Sequence, residues 1–169
     1  MIIILSGDKN SGKTENARLI YEYLINKGIS VSGIISTAEM DKNVKKSYYA
    51  VDLQSSEERL IASMDLMNGG QKLCNFYFFE DGFKFADRIL KKNLSSRVKI
   101  IDEISQFEIN KKGFYKTVKF LIENYNGHLI LVVRNSNIES VINLFDLKDY
   151  CVVSINNDVK DTILKKVLE

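Results

Sequence analysis

The first fourteen residues, MIIILSGDKNSGKT (residues 1–14), join a short apolar run to a glycine-rich loop. Residues 7–14 fit the phosphate-binding pattern G-x-x-x-x-G-K-[ST] at every fixed position. Such a loop offers a polyphosphate backbone N–H groups, a lysine ammonium and a hydroxyl, and the helix behind it adds its positive N-terminal dipole. The pattern therefore predicts that a nucleotide's phosphates are bound by Gly7, Asp8, Lys9, Asn10, Ser11, Gly12, Lys13 and Thr14.

The segments around the loop are those that the motif requires. Residues 2–5 are all apolar, which predicts a buried strand. Residues 15–27 repeat apolar side chains at helical spacing and stop before Gly28, which predicts a helix. Residues 29–36 then predict a second strand, so the first 36 residues form a β-α-β unit with a parallel crossover.

The rest of the chain continues this alternation. Strands are predicted at residues 97–103, 128–133 and 150–155, and helices at residues 83–92, 114–125, 138–145 and 158–168. Five strands alternating with helices predict an α/β fold, a P-loop NTPase three-layer sandwich with a mostly parallel central sheet and helices on both faces. We assign residues 1–169 to a single P-loop NTPase domain.

A different pattern interrupts the alternation after the second strand. Residues 47–53 are aromatic and β-branched, and residues 58–64 have mixed apolar character, with a turn-like segment between them. This pattern predicts a small antiparallel hairpin insertion. Turns are predicted at Asn68-Gly69-Gly70 and Asp81-Gly82, on either side of a short strand at residues 75–79.

Two carboxylates end the strand predicted at residues 97–103. Carboxyl ends of parallel strands meet at one edge of a sheet, so we expect Asp102 beside the loop, where Asp102 and Thr14 would hold Mg²⁺. Glu103 is the candidate general base that polarises a water in line with the γ-phosphorus, and Lys13 is the candidate catalytic cation. Glu108 either orients that water or caps the next helix.

One arginine is well placed to meet charge that develops on the γ-phosphate. Arg134 directly follows the apolar strand at residues 128–133 and is our candidate catalytic sensor of the γ-phosphate. Arg59 in the predicted hairpin is the second choice. His128 lies at the opposite, amino end of its strand, so a turn residue is predicted there.

Composition limits the remaining function classes. A formal net charge of +2 is too small to predict a nucleic-acid or membrane surface, and no apolar run approaches a membrane span. Cys74 and Cys151 lie far apart without metal-ligand spacing, so reduced thiols and no metal or redox site are expected. A cytoplasmic location is expected because the N-terminal apolar stretch is too short for a signal peptide. A protein partner is not indicated.

The phosphate-binding loop and the acidic end of the strand at residues 97–103 together resemble a known family. Residues 101–108, IDEISQFE, are similar to the Ile-Asp-Glu-Ile-Gly-x-Met-Glu segment of the cancer-related nucleoside-triphosphatase family, whose members also carry the Gly-Lys-Thr loop. The likeness extends to GIIST at residues 33–37 and VVR at residues 132–134. The resemblance implies Mg²⁺-dependent hydrolysis of ATP, GTP and other nucleoside triphosphates to diphosphates and phosphate.

This chain departs from the family pattern at a few positions. Ser105 replaces a glycine and Phe107 a methionine. The basic residues after the second strand are lysines in place of arginines, and an Asn-Arg pair becomes Asn-Asn; these positions are Lys42, Lys45, Lys46, Asn156 and Asn157.

Other functions fit the same loop. A small nucleotide or metabolite kinase would share it, although such kinases use an arginine-rich lid and this chain has no arginine between Arg59 and Arg88. A partner-activated nucleotide switch with slow hydrolysis is a further alternative. The loop also resembles that of the GTP-binding accessory protein of molybdopterin dinucleotide synthesis, but the histidines which that protein carries after its second strand are absent.

Overall fold

The computed structural model describes residues 1–65, 70–73, 75–156 and 158–169. The strands are Ile2–Gly7 (β1), Val31–Asp41 (β2), Val44–Asp52 (β3), Glu58–Ser63 (β4), Gln71–Leu73 (β5), Phe76–Phe78 (β6), Val98–Ile104 (β7), His128–Arg134 (β8) and Tyr150–Ser154 (β9). The helices are Lys13–Asn26 (α1), Glu80–Lys91 (α2), Gln106–Ile109 (α3), Tyr115–Asn124 (α4), Ile138–Phe145 (α5) and Val159–Leu168 (α6). A single 3₁₀ turn spans Asn135–Asn137 in these residues.

Five of the strands form a parallel half of one sheet. Their order is β2-β7-β8-β1-β9, and each neighbouring pair is parallel. These are the five strands that the alternating sequence pattern predicts, and the α/β fold is confirmed. β8 lies between β1 and β7, so the carboxyl ends of these three strands, at Gly7, Ile104 and Arg134, lie side by side at one edge of the sheet.

The antiparallel part is larger than the small hairpin insertion that the sequence predicts. β3, β4, β6 and β5 continue the same sheet outward from β2, each antiparallel to its neighbour. β2 runs to Asp41, beyond the predicted end at Ser36. Its pairing with β7 ends at Ile34, and its second half continues because it pairs with β3. A strand held from one side only, with mixed polar residues, has no clear signal in the sequence.

Some predicted features lie outside the described residues. They are Cys74, most of the turn at Asn68-Gly69-Gly70, and Asn157 before the last helix.

Helices cover both faces of the parallel half. Ile3 and Ile4 are consecutive in β1 and point to opposite faces, and both are fully buried. Ile3 belongs to a core closed by α1 and α6, whereas Ile4 belongs to a core closed by α2, α4 and α5. The strands of this half are therefore buried on both sides, which explains their continuous apolar runs.

A buried lysine lies at the end of the sheet opposite the loop. Lys99 in β7 is 0% exposed, and its ammonium donates hydrogen bonds to Ser32 Oγ at 2.9 Å and to the Lys92 carbonyl at 2.8 Å. The ammonium also lies 5.4 Å from the centre of the Tyr125 ring. Burial lowers the pKa of Lys99 from 10.5 to about 8.

This lowered pKa predicts a pH dependence of stability. Between the folded pKa of about 8 and the ordinary value of 10.5, the unfolded chain binds more protons than the folded one, so stability rises with pH in that window. From pH of about 7 to about 9, we expect the wild type to gain about 1 kcal/mol of unfolding free energy relative to Lys99→Met. Urea unfolding of both proteins measures this difference. If the two free energies of unfolding changed with pH in parallel, burial of the Lys99 charge would not destabilise the folded protein.

Candidate nucleotide-binding site

The loop between β1 and α1 has the backbone conformations that its glycines allow. Gly12 has φ 82°, in the left-handed region, and precedes the first turn of α1. A Cβ added at Gly7 would lie 2.6 Å from Ser11 Oγ and 2.8 Å from the end of the Ile155 side chain, so both side chains would have to move. Ser11 closes the loop by donating from Oγ to the Asp8 carbonyl at 2.7 Å.

Lys13 lies across the mouth of the loop. Its ammonium donates to the Asp8 carbonyl at 2.6 Å. Burial and the neighbouring Arg134 lower the pKa of Lys13, whereas Glu103 and Asp102 oppose that shift. The side chain is therefore within electrostatic reach of all three residues predicted at this site.

Asp102 is buried against the loop. It is 1% exposed, accepts a hydrogen bond from the Ser36 N–H at 3.0 Å, and lies beside the Thr14 hydroxyl. Burial raises the pKa of Asp102 to about 6, helped by the neighbouring charge of Glu103, while the Thr14 hydroxyl and the Ser36 N–H act in the opposite direction. The two predicted metal ligands, Thr14 and Asp102, are thus in direct contact.

Glu103 sits in a strained bulge. The pairing of β7 with β8 shifts between Ile101 and Ile104, where three steps along β7 match two along β8. Glu103 has φ 68° in this bulge, a left-handed conformation that costs a non-glycine residue roughly 1–2 kcal/mol. Ile101 and Ile104, both buried, hold it there. The bulge re-aims the carboxylate into the cleft, and strain of this kind is concentrated at functional sites.

Arg134 joins the other site residues because its strand, β8, lies between β1 and β7. It ends β8, between the strand that leads to the loop and the strand that carries Glu103. Its guanidinium Nη2 lies 3.8 Å from Glu103 Oε1. Arg59, the second candidate, is elsewhere: it is exposed, pairs with Glu57 and lies over the Phe85 ring.

Glu108 caps two helices. Its Oε2 accepts from the Ser105 N–H at 2.9 Å and from Ser105 Oγ at 3.0 Å, a capping box at the start of α3. Its Oε1 accepts from the Phe114 N–H at 3.1 Å, just before α4. Both oxygens are thereby used, which favours the helix-cap interpretation over the water-orienting one. Burial raises the pKa of Glu108 to about 7 against these hydrogen bonds.

Residues 10–14 of the loop line one cleft of about 450 Å³ together with Asp102, Glu103 and Arg134, whereas Gly7, Asp8 and Lys9 do not line it. Its walls also include residues for which no site role is predicted from the sequence: Arg18, Ser36, Thr37, Tyr48 and Ser105. Arg18 could have been found, because it lies one helical turn after Thr14. Lys45 and Tyr48 lie on β3. The position of this strand depends on pairing between distant segments, so the sequence alone does not place these two residues in the cleft. Asn135 is another addition, donating from Nδ2 to Asp8 Oδ1 at 2.9 Å.

The donor set of this cleft fits Mg²⁺. A buried carboxylate beside a hydroxyl supplies hard oxygen ligands of the kind that Mg²⁺ prefers. Among the described residues there is no group of three or more His, Cys, Asp or Glu suited to a metal ion. A Mg²⁺ ion held by Thr14 and Asp102 would therefore take its remaining ligands from water and phosphate oxygens, as this ion usually does.

The remaining candidates lie away from the cleft. His128 begins β8 at the opposite edge, and its Nδ1 is buried without a hydrogen-bond partner in the described part of the chain. Burial lowers the pKa of His128 and raises that of the half-buried Cys151 thiol. No helix within the described ranges is long and apolar enough to cross a membrane.

A parallel sheet with a Gly-Lys-Thr loop at its carboxyl edge and an aspartate contacting that threonine defines the class of P-loop nucleotide-binding proteins. A sequence model of the family described as NTPase matches residues 2–168. The chain belongs to this NTPase family.

Two relatives agree with this placement. The chain is 23% identical over 171 residues to nucleoside-triphosphatase THEP1 of Methanothermobacter thermautotrophicus, and the match covers 100% of this chain and 95% of the relative. Its fold is similar to the solution structure of a human cancer-related nucleoside triphosphatase, with a TM-score of 0.71 and 19% identity. That match covers 98% of this chain and 94% of the human one. The resemblance to this enzyme family is confirmed.

Proposed function

We propose that the protein is a Mg²⁺-dependent nucleoside-triphosphatase that hydrolyses ATP and GTP to the diphosphate and phosphate. The observation that carries the proposal is the contact of Thr14 with Asp102 in the cleft that also holds Lys13 and Glu103. Phosphate-binding groups, a candidate metal-ligand pair and the carboxylate of Glu103 meet there. The names of both relatives support the same reaction, and the cores on both sheet faces support the P-loop NTPase sandwich.

The loop and two cations bind the triphosphate. Backbone N–H groups of residues 8–14 hold the α- and β-phosphates, together with the N-terminal dipole of α1. Lys13 contacts the β- and γ-phosphates once it leaves the Asp8 carbonyl. Arg134 meets the charge that develops on the γ-phosphate, and its distance of 3.8 Å from Glu103 keeps it beside the reacting group.

Glu103 is the general base. Its carboxylate is about one-third exposed and lines the cleft, so it can contact both solvent and bound substrate. A water hydrogen-bonded to Glu103 attacks the γ-phosphorus, the bond to the β,γ-bridging oxygen breaks, and the water proton passes to the carboxylate. Asp102 is buried, and its Oδ2 accepts a hydrogen bond from the Ser36 N–H. We therefore assign Asp102 to cation binding and Glu103 to proton transfer.

Mg²⁺ would be held by the Thr14 hydroxyl and the Asp102 carboxylate. When bound, the ion neutralises phosphate charge. The desolvated Asp102, with its pKa raised to about 6, gains a counter-charge from such an ion.

The test is steady-state phosphate release by the purified protein. We expect ATP and GTP each to yield phosphate with Mg²⁺ and no added acceptor, and we expect EDTA to reduce the rate by at least about a hundredfold, because phosphate charge is then left uncompensated. Equal rates with EDTA would contradict the metal assignment. Phosphate release that requires cell extract would favour a partner-activated switch over the proposed function.

A further inference from the structure

A second cavity opens beside the nucleotide cleft. It measures about 340 Å³, within the range of small-molecule sites, and reaches inward between β3, β4, β6 and α3. Phe76, Phe78, Phe83, Phe107, Ile61 and Ala62 form its inner wall. The Phe78 and Phe107 rings are stacked with their centres 4.3 Å apart, and Phe83 lies 5.5 Å from Phe107. This wall is apolar and consists largely of aromatic rings, so it suits a flat ring.

The mouth of this aromatic cavity is polar and belongs to both spaces. Glu103, Arg134 and Tyr48 line the nucleotide cleft and the aromatic cavity alike. Tyr48 is half-buried, and its pKa is raised by burial and by the nearby Glu103 charge. A molecule whose ring fills the cavity would therefore present its polar end to the Glu103 carboxylate.

The nucleotide's own base cannot be this occupant. None of residues 10–14 lines the aromatic cavity, although they line the cleft. The cavity meets the cleft at Glu103 and Arg134, the γ-phosphate end, and the base is separated from that end by the ribose and two further phosphates. The cavity thus serves a second molecule.

The carboxylates around the cavity limit the charge of that molecule. At the mouth, Glu103 and Arg134 lie 3.8 Å apart and offset each other's charge, and the Glu108 oxygens already accept hydrogen bonds from Ser105 and Phe114. The aromatic wall offers no counter-ion for a charge carried deep in the cavity. A neutral molecule with an aromatic ring and one hydroxyl at its polar end fits both the apolar wall and the polar mouth of the cavity.

We propose that the aromatic cavity binds a small neutral aryl alcohol, which accepts the γ-phosphoryl group in place of water. This inference rests on the proposed function because it uses the same nucleotide cleft and the same base. The alcohol oxygen forms a bond to the γ-phosphorus, and the bond from that phosphorus to the β,γ-bridging oxygen breaks. The hydroxyl proton passes to Glu103. The products are a nucleoside diphosphate and an aryl-alkyl phosphate monoester.

The experiment uses the intact wild-type protein with ATP, Mg²⁺ and one alcohol at a time. The probes are benzyl alcohol, phenethyl alcohol and hydroxybenzyl alcohol, and glycerol is the matched control that has hydroxyls but no ring. Phosphorus NMR separates the phosphate monoester from inorganic phosphate. We expect at least one aryl alcohol to give a monoester and glycerol to give none. Inorganic phosphate as the only new product with every alcohol would overturn the proposal.

A pair of variants locates the acceptor site. Phe76 lines the cavity and is half-buried, and Phe120 is equally half-buried on α4, outside both cavities. Phe76→Ala should lower the ratio of monoester to phosphate by about tenfold, because the ring loses its wall, while Phe120→Ala should keep the wild-type ratio. An unchanged ratio in a folded Phe76→Ala protein would place the acceptor elsewhere and overturn the assignment.

Alcohol binding is measured separately from hydrolysis. Saturation-transfer NMR on the protein loaded with ADP should show contact with the aryl alcohol ring and none with glycerol. If ATP is not hydrolysed in water but the monoester forms, the proposed hydrolysis fails and the acceptor site stands. If ATP is hydrolysed and the alcohol neither binds nor reacts, the acceptor site fails and the hydrolysis stands.

Discussion

Lys13→Ala should reduce the hydrolysis of ATP by at least about a thousandfold and weaken triphosphate binding, since the cation aimed at the β- and γ-phosphates is lost. In the structure the Lys13 ammonium is partly desolvated and surrounded by Arg134, Glu103 and Asp102. No backbone group of the loop can replace its charge. Phosphate release and calorimetric titration with a non-hydrolysable triphosphate measure the two effects.

The control for Lys13→Ala is Lys119→Ala, which removes the same charge from an exposed position on α4. It should retain wild-type hydrolysis and binding. A Lys13→Ala protein that hydrolyses ATP at the wild-type rate would show that the loop does not hold the phosphates through this side chain.

Glu103→Gln should slow hydrolysis by about a hundredfold to ten-thousandfold while retaining triphosphate binding, because the amide cannot accept the water proton. The substitution keeps the size of the side chain in the bulge of β7, so the backbone at Glu103 is not disturbed. The loss should appear in kcat, with little change in the dissociation constant.

Glu123→Gln provides the matched control, an exposed glutamate on α4 far from the cleft. It should behave as the wild type. Equal hydrolysis rates for Glu103→Gln and the wild type would remove Glu103 as the base, and a parallel loss of binding would indicate that it acts on the nucleotide or metal instead.

The sequence was sufficient for the elements that carry a local signal. The loop pattern of residues 7–14 and the apolar runs of the parallel strands depend on neighbouring residues, so the five parallel strands and the contact of Thr14 with Asp102 could be predicted. The predicted carboxylates indeed lie at the edge of the sheet that carries the loop. Their catalytic and metal-binding roles stay predictions.

Features that depend on distant pairing could not be predicted in the same way. The position of β8 between β1 and β7, which puts Arg134 near Glu103, follows from the order of strands in the sheet and not from their sequence order. The bulge that turns Glu103 into the cleft adds one residue to a strand whose apolar pattern looks regular. The aromatic cavity requires residues from the helix α3 and from β3, β4 and β6, and the antiparallel pairing of these three strands has a weak sequence signal.

Hydrolysis of ATP in H₂¹⁸O tests most directly whether water attacks the γ-phosphorus of the bound nucleotide. Mass spectrometry of the products from the wild-type protein with Mg²⁺ should find the heavy oxygen in inorganic phosphate and none in ADP, because water attacks the terminal phosphorus and the bridging oxygen leaves with ADP. Heavy oxygen in ADP, or pyrophosphate and AMP as products, would contradict this placement of the nucleotide in the cleft.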